Sequence, residues 1–316
     1  MVMRFDVMEK KFQFSDDNKR YHTLSYHLKK TFCGRVFKAV IDAGLNCPHA
    51  ITGGCTYCVE NGSEFSHSSS LSITEQIKLE RERIFSKYGD VGLIAYFQAG
   101  TNTNADFEKL KQLYEEALSC DGVVGLSIAT RPDCISQELY PYFEELAKRT
   151  YLTVELGLQS SHNPTLARIN RGHTVECFCE AHQQLKACGV RTCVHLINGL
   201  PSETESDMLA TAQFVAKQAP SAVKLHLLHI MEGTVLAEQY QRGEFEALSQ
   251  EEYVRVVCEQ LQFFSPDVVI ERITGDGSRR RLIAPKWSLN KLQVLADIDK
   301  YLQAKDICQG DRAIDA

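Results

Sequence analysis

Three cysteines fall within twelve residues: Cys47, Cys55 and Cys58, in the stretch NCPHAITGGCTYC that spans residues 46–58. Thiolates bind soft and borderline metals, and a closed structural zinc site takes four ligands, usually from two paired knuckles. His49 and His67 are the other nearby candidates, and the chain contains no second CxxC pair. Cys55 and Cys58 alone would form a redox pair of the thioredoxin kind, which leaves Cys47 without a role. A [4Fe–4S] cluster is normally held by four thiolates. Held by three, it keeps one iron open to a further ligand, as catalytic metal sites keep a position that structural sites close. Gly53 and Gly54 suit a loop that wraps closely around a bulky group. Spacing alone leaves iron–sulfur, zinc and coincidence standing.

The loop belongs to a regular alternation of elements. Apolar, β-rich runs at 35–44, 92–100, 123–131, 152–160, 190–201 and 222–231 predict strands. Helical spacing of apolar residues predicts helices over 73–89, 105–120, 136–150, 174–189, 202–219 and 248–265. Ser72 or Thr74 would cap the first, Ser136 the third, and Gly189 would end the fourth. A short strand at 267–274 and a helix at 288–304 follow. Strands apolar along most of their length, each separated by one helix, imply a parallel sheet covered by helices. Such sheets collect function at the C-terminal ends of their strands. The unusual polar clusters fall there: Cys47 to Cys58, Gln98 to Asn104, Thr130 to Asp133, Gln159 to Ser161 and Asn198 to Pro201. Loops converging from five consecutive strands favour a barrel over an open sheet. The expected organisation is a basic N-terminal arm at 1–33, a partial barrel at 34–266 and a C-terminal extension at 267–316.

Composition sets the outer bounds. The chain has 316 residues, 44% hydrophobic and 24% charged, as in ordinary globular proteins. It contains no run of about 18 apolar residues, so no membrane span is expected. The first twenty residues lack the apolar core of a secretory signal. Twelve cysteines scattered through regular segments point to a reducing, cytoplasmic setting and not to a disulfide framework. Net charge is −6, yet residues 1–38 carry nine Lys or Arg against four Asp or Glu. That basic balance hints at a polyanionic partner, the alternative being a solvated terminal segment.

The cysteine loop resembles that of the radical S-adenosylmethionine (SAM) superfamily, whose cysteines commonly follow CxxxCxΦC with Φ aromatic. Here the pattern is C-x7-C-T-Y-C, with Tyr57 in the aromatic place and a longer first gap. The long gap is similar to the Elongator-catalytic-subunit-like branch, which includes YhcC-like bacterial proteins. Further strings agree in order: YFQAGTNTNA, SIATRPDCI, VELGLQSSHNPTLARINRGHT, HLINGLPSET and RITGDGSRRRLIAPKW. The resemblance implies an α/β fold, an incomplete (β/α)6 TIM-like barrel with a C-terminal extension. It implies one [4Fe–4S] cluster on Cys47, Cys55 and Cys58, with SAM on the open iron. It also implies reductive cleavage of SAM to a 5′-deoxyadenosyl radical, and a one-electron reductant such as flavodoxin or ferredoxin as partner. Carried over by position, Tyr57 would meet the adenine through its backbone. Gln98, Gly100 and Thr101 would hold SAM's amino group, with QAGT in place of the common GGE-type string. Glu155 and Gln159, with Arg171 twelve residues after Gln159, resemble the arrangement in radical SAM coproporphyrinogen dehydrogenases. There the Gln and Arg face ribose and carboxylate, and His195 stands where those enzymes have a ribose-binding Asp.

Each of these residues also has a purely structural reading. Glu155 and Gln159 share one face of a strand, and Glu155 has Lys38 or Arg131 as an alternative partner. Arg171 can brace a helix terminus; His195, His226 and His229 can be core histidines; Arg279, Arg280 and Arg281 can be surface charge. Substrate class stays open between RNA and a small molecule, with a non-catalytic iron–sulfur or zinc protein as a further alternative. An RNA track would use the arm, with Phe12, Phe14, Tyr21 and Tyr26 stacking on bases, together with Arg279–Arg281 at the same open end of the barrel. The competing expectation is that those aromatics anchor the arm to the barrel.

Overall fold

The computed structural model describes residues 12–59, 69–98, 100–275 and 277–313; His67 lies outside them. The described strands are β1 (Val36–Ile41), β2 (Gly92–Phe97), β3 (Val123–Thr130), β4 (Tyr151–Gln159), β5 (Arg191–Asn198), β6 (Ala222–Leu227), β7 (Ile230–Met231), β8 (Val269–Arg272) and β9 (Leu282–Ala284). All but β7 and β9 lie side by side in chain order as one parallel sheet, and β7 pairs antiparallel with β9. Alternation along each strand separates two environments. In β4, Leu152, Val154, Leu156 and Leu158 are buried on one face, while Glu155 and Gly157 face the other. The apolar face is covered by helices. The polar face lines a lumen, because the sheet curls: Lys38 Nζ on β1 lies 2.6 Å from Glu271 Oε2 on β8, at the opposite edge. This is the partial barrel expected, with β8 as a seventh strand.

The covering helices are α2 (Ile73–Tyr88), α3 (Phe107–Leu118), α4 (Leu139–Arg149), α6 (Val175–Ala187), α7 (Glu205–Gln218), α9 (Gln250–Leu261) and α10 (Lys291–Ala304). Ser72, Thr204 and Ser249 open α2, α7 and α9 with capping boxes, each satisfying two otherwise unpaired terminal groups. Ser136 does not cap α4. A turn at 137–138 delays the helix to Leu139, whose N–H donates to the Ser136 carbonyl at 3.1 Å. Phe143 of α4 is completely buried, and truncation to alanine there would cost about 3–5 kcal/mol.

Three helices have no counterpart in the sequence reading: α1 (Leu24–Phe32), α5 (Asn163–Arg168) and α8 (Val235–Gln241). α1 packs on β8 and β1. Just before it, Ile270 N donates to the His22 carbonyl at 2.8 Å, so the arm extends the sheet edge. His27 and Phe32 lie against Tyr151, at the start of β4. The described part of the arm therefore plugs the N-terminal end of the barrel. Phe12 and Tyr21 are buried, and Phe14 stacks on His22 at 4.6 Å. Their faces are covered by the protein, so the anchoring expectation holds and base stacking by Phe12 or Tyr21 does not.

Candidate functional site

The segment from Asp42 to Cys58 emerges from β1 at the C-terminal end of the barrel. Cys47 precedes a single 3-10 turn, Pro48–Thr52. Gly53 and Gly54 then take left-handed backbone (φ 100° and 66°), which turns the chain back so that Cys55 and Cys58 follow. Several neighbours hold this shape. Asn170 Nδ2 donates to the Gly54 carbonyl at 2.6 Å, Thr56 N donates to Ile169 O, and Leu236 N at the start of α8 donates to Thr56 O. Thr101 N donates to the Leu45 carbonyl at 3.2 Å, and a Cβ on Gly100 would stand 1.8 Å from that oxygen. Only glycine permits so close an approach. Gly100 and Thr101 thus clamp the cysteine loop against the end of β2. Cys55 is buried and Cys58 exposed.

Two guanidiniums lie beneath the loop. Arg171 donates through Nη2 to the Gly157 carbonyl at 2.6 Å and through Nη1 to Cys55 Sγ at 3.5 Å. A side chain at position 157 would collide with Arg171 and Gln159, so Gly157 is the vacancy that admits them. Arg131 is gripped by Asp133 through Nε and Nη2, each at 2.9 Å. Among the described residues, Arg171 Nε and Arg131 Nη1 are buried without a hydrogen-bond partner. Hydrogen bonding from Cys58, and then the charge of Arg171, pull the Cys55 thiol down to about 5, while Cys58 is pushed up by the same contact. The ring of Tyr57 packs on the core, and burial holds its hydroxyl well above the usual range.

One layer deeper, polar side chains from all seven sheet strands meet in the lumen. Glu155 Oε1 accepts from Lys38 Nζ and Ser127 Oγ, both at 2.6 Å. Its Oε2 accepts from Tyr96 OH at 3.0 Å, from His195 Nε2–H at 2.7 Å and from Lys224. Five donors saturate a carboxylate. Burial opposes its charge, but Lys224 and Lys38 outweigh that and hold it well below the carboxylate range. Lys38 also donates to Glu271 at 2.6 Å. Burial and Lys224 keep His195 neutral, and its ring lies 5.2 Å from that of His226. Glu155 and His195 therefore engage each other, and Lys38 is Glu155's partner as the structural alternative anticipated. Arg131 is not; it serves the cysteine loop instead.

Gln98 lines the lumen at the end of β2. Gln159 ends β4 with φ 80°, which is strained for a residue with a side chain. Of the expected site residues, Cys55, Tyr57 and Arg171 cluster directly. Gly100 and Thr101 act on the loop's backbone, and Glu155 and His195 form the layer below. Arg131 and Asp133 were missed as site residues; the string TRPD at the end of a strand was the available signal. Arg279 and Arg280 are exposed between β8 and β9, at the same end as the cysteine loop. The described part of the arm lies at the other end, so that part forms no single phosphate track with them. Strand direction decides this, since α1 precedes β1 whereas residues 279–281 follow β8.

Comparison with known proteins agrees with this architecture. Residues 44–215 match the model of the Radical SAM superfamily, and residues 220–304 match the Radical_SAM C-terminal domain. Uncharacterized protein YtqA of Bacillus subtilis is 44% identical over 95% of this chain and 94% of its own length. The tRNA uridine(34) acetyltransferase of Methanocaldococcus infernus is 36% identical over 48% of this chain, a match that spans 29% of that protein. The structure of the archaeal Methanocaldococcus infernus Elp3 superposes with a TM-score of 0.66 at 22% identity, over 86% of this chain and 63% of that one, a likeness of fold.

Proposed function

The chain belongs to the radical SAM superfamily, and from that premise we propose that it is an RNA-modifying member whose single [4Fe–4S] cluster is held by Cys47, Cys55 and Cys58. Family membership makes it a radical SAM enzyme, with a [4Fe–4S] cluster and SAM as cofactors. The non-catalytic reading therefore falls.

The residues at the loop fit such a cluster. Three thiols leave one iron open. The buried N–H groups of Arg171 Nε and Arg131 Nη1 would otherwise be costly, and an anionic thiolate cluster or a carboxylate satisfies them. When bound, the cluster and SAM supply a 5′-deoxyadenosyl radical able to abstract hydrogen from a substrate. The protein's part is to orient and to exclude water. Arg171 and Arg131 hold positive charge beneath the loop, Gly100 and Thr101 keep the loop in place, and Gln98 presents its amide to the lumen. We assign Tyr57 (through its backbone), Gln98, Gln159 and Arg171 to SAM. The strained backbone of Gln159 supports its part in that set. Glu155 and His195 position the layer beneath it.

The observation that carries RNA as substrate is the exposed Arg279–Arg280 pair at the cysteine-loop end, where a large polyanion has access. The partial match to a tRNA uridine(34) acetyltransferase supports the same class. A reductant such as flavodoxin or ferredoxin is the required partner. Twelve cysteines with no disulfide among them support a reducing cytoplasm, and no helix among the described residues is long and apolar enough to cross a membrane. The test is anaerobic reconstitution with iron and sulfide, then SAM, dithionite and bulk tRNA. The expected result is 5′-deoxyadenosine release stimulated by tRNA. Binding should weaken steeply with salt, and that slope should shrink when Arg279, Arg280 and Arg281 become Ala. No tRNA binding at about 50 mM salt would remove RNA and leave a small-molecule substrate. One observation favours that second reading, a cavity of about 670 Å³ at the seam between β1 and β8.

A further inference from the structure

The gap between Cys47 and Cys55 holds seven residues, about twice the common spacing. A longer flexible gap costs more to close on a shared ligand, about threefold in affinity for each doubling of length. The structure shows how this gap is held. It folds as the turn Pro48–Thr52, with Ala50 N donating to Cys47 O at 3.1 Å and Gly54 N donating to His49 O at 2.9 Å. So short a turn is not stable by itself, and its shape needs support from outside.

That support is the string INRGH, residues 169–173, which follows α5. Ile169 is completely buried, and its carbonyl accepts from Thr56 N at 3.0 Å. Asn170 takes left-handed backbone (φ 49°), which asparagine tolerates better than most residues, and turns two groups towards the loop. Its Nδ2 donates to Gly54 O at 2.6 Å, and its carbonyl accepts from His49 Nε2 at 2.6 Å. A carbonyl only accepts, so Nε2 carries the imidazole hydrogen. Nδ1 lies 3.0 Å from Thr52 Oγ1. Both ring nitrogens are thereby engaged, and neither is left to bind a metal. Gly172 makes the room: a Cβ there would stand 2.7 Å from His49 Cε1 and 3.0 Å from Arg131 Nη2. Backbone N–H groups of Ile169, Asn170 and Arg171 donate to Thr165, Ala167 and Leu166, which ties the string to α5.

We infer that His49 is a positioning residue: latched to Asn170, it fixes the turn between Cys47 and Cys55 independently of any bound group. Cys47 is then carried on the same support that holds Thr56 through Ile169 and meets Cys55 through Arg171. Ligands held in place beforehand lose less freedom on binding, and this offsets the cost of the long gap. That the fixed turn serves an iron–sulfur cluster rests on the ligand set proposed above; that the latch holds the turn does not.

The test joins two measurements on the full chain: hydrogen exchange in the peptide spanning residues 47–55, and release of the reconstituted cluster to an iron chelator. His49→Ala should quicken both about three- to tenfold, the usual effect of losing one hydrogen bond. His49→Gln keeps an N–H donor and should restore most of the difference. Ile51→Ala, in the same turn but 90% exposed, should change neither. Unchanged exchange in His49→Ala, no recovery in His49→Gln, or cluster release at the parent's rate would each overturn the inference. A parent protein that loads no cluster, while its exchange still responds to His49→Ala, would fault the ligand set and leave the latch standing.

Discussion

Two groups of buried charge occupy the same barrel, one layer apart, and they are completed to different degrees. In the lumen, Glu155 accepts from five donors and Lys38 gives all three of its hydrogens to partners. Beneath the cysteine loop, Arg131 and Arg171 each retain a buried N–H with no partner among the described residues, of which Asp133 is the one carboxylate gripping either of them. A buried polar network satisfied throughout stabilises a fold, whereas one left incomplete destabilises it unless something else arrives. The lower layer reads as structure. The upper one reads as a site.

The largest expected effects fall on the upper group. Cys47→Ala, Cys55→Ala and Cys58→Ala should each abolish the visible charge-transfer absorbance of reconstituted protein. Cys134→Ala should retain it, although Cys134 lies close to Arg131. If Cys134 or Cys33 proved as necessary as the three, the open-iron arrangement would be wrong.

Glu155 tests the other side of the contrast. Glu155→Ala leaves Lys38 and Lys224 buried with one acid between them, and breaking such a network costs about 3–5 kcal/mol. A urea midpoint within error of the parent would sink the structural reading of that layer. Arg131→Gln should behave differently, with little change in stability. Its signature is a fall of roughly 50 mV in the cluster's midpoint potential, the scale of a tenfold change for one electron. An unchanged potential in a redox titration would assign Arg131 to packing alone.

Binding of SAM sharpens the comparison further. Gln98→Ala and Arg171→Ala should lower SAM affinity about ten- to hundredfold while the cluster spectrum remains. Loss of the spectrum in Arg171→Ala would instead place its main role on Cys55.

The smallest effect concerns the plug at the far end. Burial, then Arg191 on β5 and His22 on the arm, lower His27 from 6.5 to about 4, against a weaker opposing pull from Glu271 on β8. A histidine held neutral in the folded state contributes stability that is complete above pH 6.5 and lost as pH falls towards 4. Hydrogen exchange in α1 should therefore quicken over that window, and His27→Gln should flatten the response. Equal acid sensitivity in both proteins would rule His27 out as the cause.

Much of this molecule is legible from local pattern. The strands and main helices follow from apolar periodicity, because a residue's neighbours at two or four positions decide which face it shares. The cysteine spacing and the paired glycines raised a metal loop as an expectation for the same reason: ligands on one short loop need no distant partner. The limits are equally physical. Glu155 meets Lys38 across 117 residues, and Arg171 meets Cys55 across 116, distances over which sequence carries no geometric signal. The arm left two expectations open, a phosphate track and an anchor, because its helix is short and its aromatics find their partners only at the barrel's end. Whether a polar residue was scaffold or site depended on how many of its hydrogen bonds the closed barrel completed. Curling the sheet brought β1 to β8, and that closure satisfied Glu155 while leaving Arg131 and Arg171 with donors to offer.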